Sequence, residues 1–209
     1  MYIAPVDAGI DDDEWRTFVA AQGFGHLVAS GRHRDLPVVV PTQFVLEADE
    51  IILHLVARNP VFEALDEQPR AVMSVAGDWA FIPSTWKAIG DEDPRLGIPT
   101  TYYGAVQLAG TATTVDDPDA IADILRLQLR RIQPGVDVAD PALAHQAQLR
   151  TIRGVRLAVE EVRAKFKYGG NVDVAHRLAV VERLEERGGP GDRAAAAQTL
   201  RRIRAEARS

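Results

Sequence analysis

The chain has 209 residues and contains no cysteine. This absence excludes disulfides, thiolate metal sites and a cysteine nucleophile, and it suits a reducing cytoplasm, where we expect the protein to reside. No apolar run reaches the ~20 residues of a membrane-spanning helix, and the N-terminus lacks the basic and apolar regions of a signal peptide. Because the formal net charge is −6, the molecule is not a general nucleic-acid binder. We therefore expect a soluble protein without membrane partners, in which any DNA contact is local.

Sequence motifs of common catalytic and metal sites are also missing. The five histidines are scattered, and none is spaced from another histidine or a carboxylate as zinc ligands are, so we predict no metal site. The chain has no Gly-x-Ser-x-Gly elbow, no Walker sequence and no Gly-x-Gly-x-x-Gly fingerprint. The absence of these motifs does not exclude a hydroxyl nucleophile. No catalytic residue is predicted, and whether the protein is an enzyme stays open as well.

The apolar runs of the sequence are mostly strand-like. Phe24 to Ser30 and Leu36 to Leu46 predict a hairpin. Its second strand is expected to be an edge or to bend at Pro37 and Pro41, because these residues cannot donate to a ladder. Further strands are expected at 51–56, 70–76, 79–82, 105–115 and 152–162, with a bend or bulge at 77–78 and a bulge at Gly154. Few strands are separated by helices, which favours an antiparallel barrel. The predicted fold class is α+β, dominated by a β-barrel with flanking helices and a helical C-terminus.

Helix start signals flank these strands. Acidic residues 11–14 precede apolar residues at helical spacing, and Asp117-Pro118 begins a helix with apolar residues on one face. Asp140-Pro141 predicts a weaker helix that ends near residue 150. Two more helices are expected at 173–187 and 192–208, and the apolar face of the first comprises Val174, Leu178, Val181 and Leu184. We predict a barrel domain at residues 1–170 and a C-terminal helical extension at residues 171–209.

The turn from His54 to Pro60 has the composition of an anion site. Asn59 can cap a short helix through Leu65, with Pro60 at its first position. The free amides of that helix and the Arg58 guanidinium then both suit a phosphate. The same residues also fit an ordinary strand-to-helix turn with a solvated arginine, and both interpretations stay open at this point.

Three further groups carry compatible chemistry: Ser84 to Trp86, Thr100 to Tyr103, and Lys165 to Asn171. Their hydroxyls and lysines suit a phosphate, and the tryptophan and tyrosines offer flat surfaces for a conjugated ring. Each group also has a purely structural interpretation. Trp86 fits a core residue, the two tyrosines fit a packing pair, and the lysines fit solvated flanks of a buried Phe166.

Six stretches of the chain occur in an order that is typical of one protein family: Met1-Tyr2-Ile3, Phe24 to Val28, His54 to Pro60, Gly77 to Trp86, Ile98 to Val106 and Lys165 to Asn171. Together they resemble the PaiB family, whose members are described as FMN-binding negative transcriptional regulators. The resemblance extends to about Arg187. It implies a split β-barrel of the pyridoxamine-phosphate-oxidase-like group, a homodimer, and FMN as the cofactor.

The resemblance also implies a set of cofactor-binding residues. They are Arg58, Asn59, Ser84, Thr85, Trp86, Thr100, Lys165, Lys167 and Asn171. The chain departs from the family pattern at other positions, which are Val38 to Pro41, Lys87, Thr101-Tyr102 and Tyr168 to Gly170.

Three functions are consistent with this sequence. The first is a dimeric, cytoplasmic FMN-binding protein that acts as a transcriptional regulator or a flavin-dependent oxidoreductase. The second is a DNA-binding regulator that uses the C-terminal helices, since residues 192–209 contain five arginines and two carboxylates, a local charge of +3. Arg201, Arg202 and Arg204 are its predicted phosphate contacts. The third is a split-barrel scaffold that has lost the flavin.

Overall fold

The structure is a computed structural model that describes residues 1 to 208, apart from the side chain of Asp78. The last residue of the predicted C-terminal extension, Ser209, lies outside the described residues. Over the described residues the strands are β1 (Phe24–Ala29), β2 (Val38–Gln43), β3 (Val45–Glu47), β4 (Glu50–Val56), β5 (Arg70–Ile82), β6 (Thr100–Val115) and β7 (Ile152–Lys167). The helices are α1 (Asp12–Gln22), α2 (Val61–Glu67), α3 (Pro118–Ile132), α4 (Pro141–Ala144), α5 (Gln146–Leu149), α6 (Val174–Arg187) and α7 (Asp192–Glu206).

The strands form one sheet in the order β2-β1-β5-β6-β7-β4-β3. β1 pairs antiparallel with β2 and β5, and β4 pairs antiparallel with β3 and β7. The predicted hairpin and its edge strand are confirmed, because β2 lies at one end of the sheet with Pro41 opposite His26. A proline is tolerated there because an edge strand has one unpaired side. The mixed helix and sheet content confirms the predicted α+β class.

By contacts the chain divides into two units. The first unit comprises Met1–Phe18, Ala76–Val106 and Ala164–Ser209, and the second comprises Val19–Val75 and Gln107–Arg163. The chain passes from one unit to the other within α1, β5, β6 and β7. The domain boundary expected at residue 170 stays a prediction, because these units group residues by contact and do not test which part folds alone.

The second unit contains a core of strand residues and the helix α3. Asp117 caps α3 as predicted, accepting a hydrogen bond from the Ala120 amide. The buried apolar strand residues of this unit include Leu27, Ile51, Leu53, Met73, Leu108, Val155 and Leu157.

Gly154 allows α3 to approach β7 within the second unit. The residue pairs with His54 in a regular antiparallel register, so the predicted bulge at this position is wrong. A Cβ atom at Gly154 would lie 2.4 Å from Cδ1 of Ile124 and 3.1 Å from Cβ of Val115. The glycine is therefore explained by the close approach of a helix side chain, and not by a break in the ladder.

Two other local predictions need correction. Residues 70–82 form the single strand β5, because Gly77 keeps the extended backbone and does not end the ladder. The expected helix at 141–150 is divided at His145 into the short helices α4 and α5.

In the first unit, α6 packs on a face that differs from the predicted one. Val181 and Leu184 of α6 are buried as expected, but Val174 and Leu178 are about two-fifths exposed, at 42% and 40%. The buried polar face includes Arg177, which pairs with Glu206 of α7. An ion pair thus replaces part of the apolar contact that the helical periodicity predicted.

Arg202 is the central cation of the first unit. Its Nη1 lies 3.1 Å from both carboxylate oxygens of Glu14, and its Nη2 donates to the carbonyl oxygens of Ala8 at 2.9 Å and Val6 at 3.4 Å. The Glu14 carboxylate also accepts from the Ile10 amide at 2.8 Å. Both side chains are buried. The prediction that Arg202 contacts DNA is therefore wrong, because charge counting along a helix does not reveal which arginines face the interior.

We expect Arg202→Met to destabilise the protein by about 3 to 5 kcal/mol, because it leaves the buried Glu14 carboxylate without its cation. Arg201→Met is the matched control on the same helix, and we expect a change within about 0.5 kcal/mol. Urea unfolding followed by circular dichroism gives both values. Equal destabilisation by the two variants would contradict the role assigned to Arg202.

Candidate functional site

The backbone amides at the turn between β4 and α2 donate hydrogen bonds to acceptors within the turn itself. The Asn59 Oδ1 atom accepts a hydrogen bond from the Val61 amide at 3.0 Å, and the Asn59 carbonyl accepts from the Phe62 amide at 3.1 Å. α2 begins at Val61, one residue later than predicted, and has seven residues. The expectation that these amides face an anion is therefore wrong. Asn59 instead shapes the turn that presents Arg58.

Arg58 keeps its side chain available. It is exposed, and it lines a cavity of about 390 Å³ together with Val56, Ala57 and Thr151. Among residues 1–208, no carboxylate or carbonyl group pairs with its guanidinium. A guanidinium without a carboxylate partner beside a concave surface can bind a phosphate through two parallel hydrogen bonds.

The first unit contains the other predicted site residues. Ser84 and Thr85 lie in a short 3-10 helix, Ser84–Lys87, that follows β5. In the same turn Trp86 is partly buried, and the Arg187 guanidinium lies 4.5 Å from its ring centroid. Asp192 holds Arg187 through hydrogen bonds of 2.5 and 2.7 Å. The Arg187 guanidinium also holds the pKa of Asp192 below its usual range.

The structure brings Thr100 and Lys167 together. Lys167 Nζ donates to Thr100 Oγ1 at 2.8 Å, which joins the start of β6 to the end of β7. The pKa of Lys87 is lowered by burial and, to a smaller extent, by the positive charge of Lys167. Lys87 also lines a cavity of about 350 Å³. The other lining residues are Ala88, Glu92, Asp93, Leu96 and Gly97.

Lys165 and Asn171 occupy different surroundings. The Lys165 Nζ atom lies 3.8 Å from a carboxylate oxygen of Asp7 and donates to the Tyr2 carbonyl at 3.2 Å. Its charge is therefore already balanced within the first unit. Asn171 is exposed in the turn between β7 and α6. Arg58 and Asn59 belong to the second unit, whereas the remaining seven predicted residues belong to the first.

The aromatic residues Tyr102 and Phe166 near these positions are buried. Tyr102 is 1% exposed and packs edge-to-face against Tyr168. It is therefore a packing residue as predicted, but its partner ring is that of Tyr168 and not that of Tyr103. Burial raises the pKa of Tyr102 to about 12, and the nearby Arg177 opposes this shift. Phe166 is fully buried against Phe18, as predicted. Lys165 is not the solvated flank that was predicted, because its side chain is only 12% exposed and pairs with Asp7.

His176 joins two carboxylates beside the 350 Å³ cavity. Its Nδ1 atom lies 2.8 Å from Asp173 Oδ2, and its Nε2 atom lies 3.0 Å from Glu92 Oε2. Asp173 and then Glu92 raise the pKa of His176 above its usual value. When the ring is protonated, it therefore links the loop that contains Glu92 to the first turn of α6.

Sequence reasoning missed His176 and Arg187 as residues of this region, and it recognised Lys87 only as a departure from the family pattern. Their contacts join segments that are distant in sequence, and no spacing rule brings them together. One sequence signal was available for Lys87. The chain has only three lysines, and the other two are Lys165 and Lys167.

Comparison with known proteins assigns the family. Residues 1–161 match a protein-family model described as "Putative FMN-binding domain". The chain belongs to this family. It is also 24% identical over 198 residues to the "Protease synthase and sporulation protein PAI 2" of Bacillus subtilis (strain 168), which covers 91% of this chain and 92% of the relative. The resemblance to PaiB proteins is thereby confirmed, and the cofactor of the family is a flavin.

Solved structures confirm the fold. The FAD and heme binding protein from Mycobacterium smegmatis has a TM-score of 0.61 at 19% identity, over 83% of this chain and 79% of that one. The flavocytochrome Anf3 from Azotobacter vinelandii has a TM-score of 0.60 at 20% identity, over 82% of this chain and 74% of that one. At these identities the likeness concerns the fold alone, and it agrees with the predicted split barrel. Within residues 1–208, every helix is too short or too polar for a bilayer crossing.

The contacts of His176 predict a pH dependence. Because the folded-state pKa is raised, the stabilisation is complete below the ordinary histidine value of about 6.5 and is lost as pH rises through the folded-state pKa. We expect Glu92→Gln to lower the pKa of His176, because one of its two carboxylate partners is removed. Glu186→Gln changes an exposed glutamate of α6, the helix that contains His176, and serves as the control.

An NMR titration of the histidine ring protons measures this pKa in each variant. A value for His176 that is the same in Glu92→Gln as in the wild type would show that the Glu92 contact does not form in solution.

Proposed function

We propose that the protein is a homodimeric FMN-binding protein of the cytoplasm whose flavin phosphate is bound by Arg58. The observation that carries the flavin assignment is the family match over residues 1–161. The geometry supports the phosphate position, because the Arg58 guanidinium lacks a carboxylate partner within the described residues and lines a cavity. An available guanidinium fits a phosphate. Thr151 lines the same cavity, but its hydroxyl already donates to the Gln148 carbonyl at 2.7 Å.

We retain the nine cofactor-binding residues implied by the family resemblance as a proposal, and the structure suggests different tasks for them. Asn59 holds the turn that positions Arg58. Trp86 offers an aromatic ring whose orientation is fixed by Arg187. Thr100 and Lys167 form a bonded hydroxyl–ammonium pair. The remaining members of the set are Ser84, Thr85, Lys165 and Asn171.

A bound flavin supplies redox chemistry that no side chain of this protein can supply. The protein residues then bind and orient it, exclude water from it and supply positive charge to its phosphate. The choice between a flavin-dependent oxidoreductase and a flavin-bound regulator depends on a substrate. No residue of the chain is assigned a catalytic task.

We expect Arg58→Ala to weaken FMN binding about ten- to a hundredfold, because a charge-assisted phosphate contact contributes about 1.5 to 3 kcal/mol. Riboflavin lacks the phosphate, so the same substitution should leave its affinity within about twofold. Arg130→Ala removes an exposed arginine of α3 in the same unit and is the control. Fluorescence titration of both flavins against each variant gives the comparison.

Equal losses of FMN and riboflavin in Arg58→Ala would contradict the phosphate assignment. If the wild type bound neither flavin, the third function considered from the sequence, a scaffold without flavin, would replace the proposed one.

The homodimer proposal is supported by exposed apolar residues on β5. Trp79 and Phe81 are separated by one residue of the strand and are 61% and 50% exposed, whereas Ala80 between them is buried. Large neighbouring apolar side chains on a surface are typical of a contact with another chain.

We expect flavin-free protein to sediment as a dimer at micromolar concentration in analytical ultracentrifugation. A monomer under these conditions would remove the proposal.

We propose a regulatory DNA contact as the second candidate function. It is supported by the family resemblance and by the arginines of α7 that remain accessible, of which Arg204 is exposed and Arg201 is partly exposed. Truncation of α7 is unsuitable as a test, because the helix also carries Arg202 and Glu206 with their ion pairs.

The test of the DNA proposal is Arg201→Ala combined with Arg204→Ala, in gel-shift titrations with duplex DNA at several salt concentrations. We expect the salt slope of the affinity to fall by about 2, since each phosphate contact contributes about 0.9. Arg150→Ala, at an exposed arginine of the second unit, is the control. An unchanged slope in the double variant, or no DNA binding by the wild type, would rule out this candidate.

A further inference from the structure

The loop between α3 and α4 carries exposed apolar side chains. Residues 133–139 are all exposed, and Val136 and Val138 are 55% and 41% exposed. Loops between helices are usually rich in polar and turn-forming residues. Both valines line one cavity of about 420 Å³, which lies between this loop and the C-terminal half of α3 in the second unit. The two exposed valines therefore form the wall of a concave surface.

Hydrogen bonds hold the loop at both of its ends. At the far end, the Nε and Nη2 atoms of Arg126 donate to the two carboxylate oxygens of Asp140, each at 2.8 Å. At the near end, the Val136 amide donates to the Gln133 carbonyl at 3.2 Å. This turn contains Gly135 with a φ of 78°, which glycine adopts without strain. The cavity is therefore formed before a ligand binds, and little ordering accompanies binding.

Arg130 supplies the unbalanced charge of this cavity. The charge of Arg126 is already balanced by Asp140 and by Asp123, whose Oδ1 atom accepts at 2.6 Å. Arg130 lies one turn further along α3, is exposed and lines the same cavity. In the part of the chain that the structure describes, no carboxylate pairs with its guanidinium. The partial negative charge at the end of α3 is offset by Arg130 and Arg131 in the last turn. A guanidinium beside apolar side chains suits a carboxylate on an apolar ligand.

We propose that this cavity binds an aliphatic monocarboxylate, such as a short- or medium-chain fatty acid. Arg130 binds the carboxylate, and the chain contacts the apolar residues of the lining, which are Leu129, Pro134, Val136, Val138, Ala139 and Pro141. None of the described lining residues is aromatic, which favours an aliphatic chain over a flat ring. A volume of about 420 Å³ is within the range of small-molecule sites. The site has no lining residue in common with the Arg58 cavity and does not require a bound flavin.

The test of the carboxylate contact compares sodium octanoate with 1-octanol, which has the same chain length and no charge. Calorimetric titrations use the full-length protein at millimolar ligand concentration. We expect Arg130→Ala to weaken octanoate binding about tenfold, because a charge-assisted contact is lost, and to leave octanol binding within about twofold. Arg150→Ala removes an exposed arginine that does not line the cavity and should change neither affinity. Equal losses of both ligands in Arg130→Ala, or no octanoate binding by the wild type, would overturn the proposal.

The apolar wall is tested by Val138→Thr, which keeps the shape of the side chain and replaces a methyl group by a hydroxyl. We expect it to weaken octanoate and octanol alike, by about two- to fourfold, because apolar contact with the chain is lost. Val39→Thr makes the same change at an exposed valine of β2 and should affect neither ligand. Unchanged affinities for both ligands in Val138→Thr would overturn the placement of the chain in this cavity.

NMR of nitrogen-15-labelled full-length protein locates the ligand. Octanoate should shift the amide signals of Gly135, Val136 and Val138 and leave that of Arg58 unchanged. Saturating FMN should leave the octanoate affinity within about twofold, because the two cavities share no lining residue. Shifts confined to other parts of the chain, or displacement of octanoate by FMN, would overturn the site. Octanoate binding at this loop by protein that binds no FMN would support the site and contradict the proposed function alone.

Discussion

The buried guanidinium of Arg202 is the contact on which the first unit depends most. It connects the last helix of the chain to the carboxylate of Glu14 and to two carbonyl groups of the N-terminal segment. A charge removed from water needs several acceptors of good geometry, and here the acceptors come from the opposite end of the sequence. The family match ends at residue 161, yet the helices beyond it complete this unit.

The C-terminal helices also contact the segment that carries Trp86 and Lys87. α6 contacts this part of the chain near both of its own ends, through His176 with Glu92 at its start and through Arg187 with Trp86 at its end. A helix far along the sequence therefore contacts Trp86, which belongs to the proposed cofactor set. Residues outside the matched region are thus in contact with the region where the flavin is proposed to bind.

The sequence allowed much of the fold to be predicted, because local rules determine it. Prolines identified the β2 edge, and Asp117 marked the start of α3. The sequence could not reveal which polar groups were already used. It predicted that the backbone amides after Asn59 are free. In the structure the Asn59 side chain and carbonyl accept hydrogen bonds from the amides of Val61 and Phe62.

Charge counting had the same difficulty at Arg202, because a composition does not say which arginines are buried. The cofactor set itself came from the family resemblance and stays a proposal, as do the boundary at residue 170 and the cytoplasmic location. The contacts of His176 with Glu92 and of Arg187 with Trp86 could not be predicted, because they join separate segments of the first unit.

Gly154 has a consequence for how this chain can change during evolution. The space that its missing side chain leaves is filled by Ile124 and Val115 from α3 and β6. A larger residue at position 154 is acceptable only together with a smaller one at position 124, and a larger residue at 124 has no room while β7 keeps its register. Positions 124 and 154 should therefore vary together among relatives of this protein. Such correlated variation would indicate that the contact between α3 and β7 is kept, even among relatives whose sequences have low overall identity to this chain.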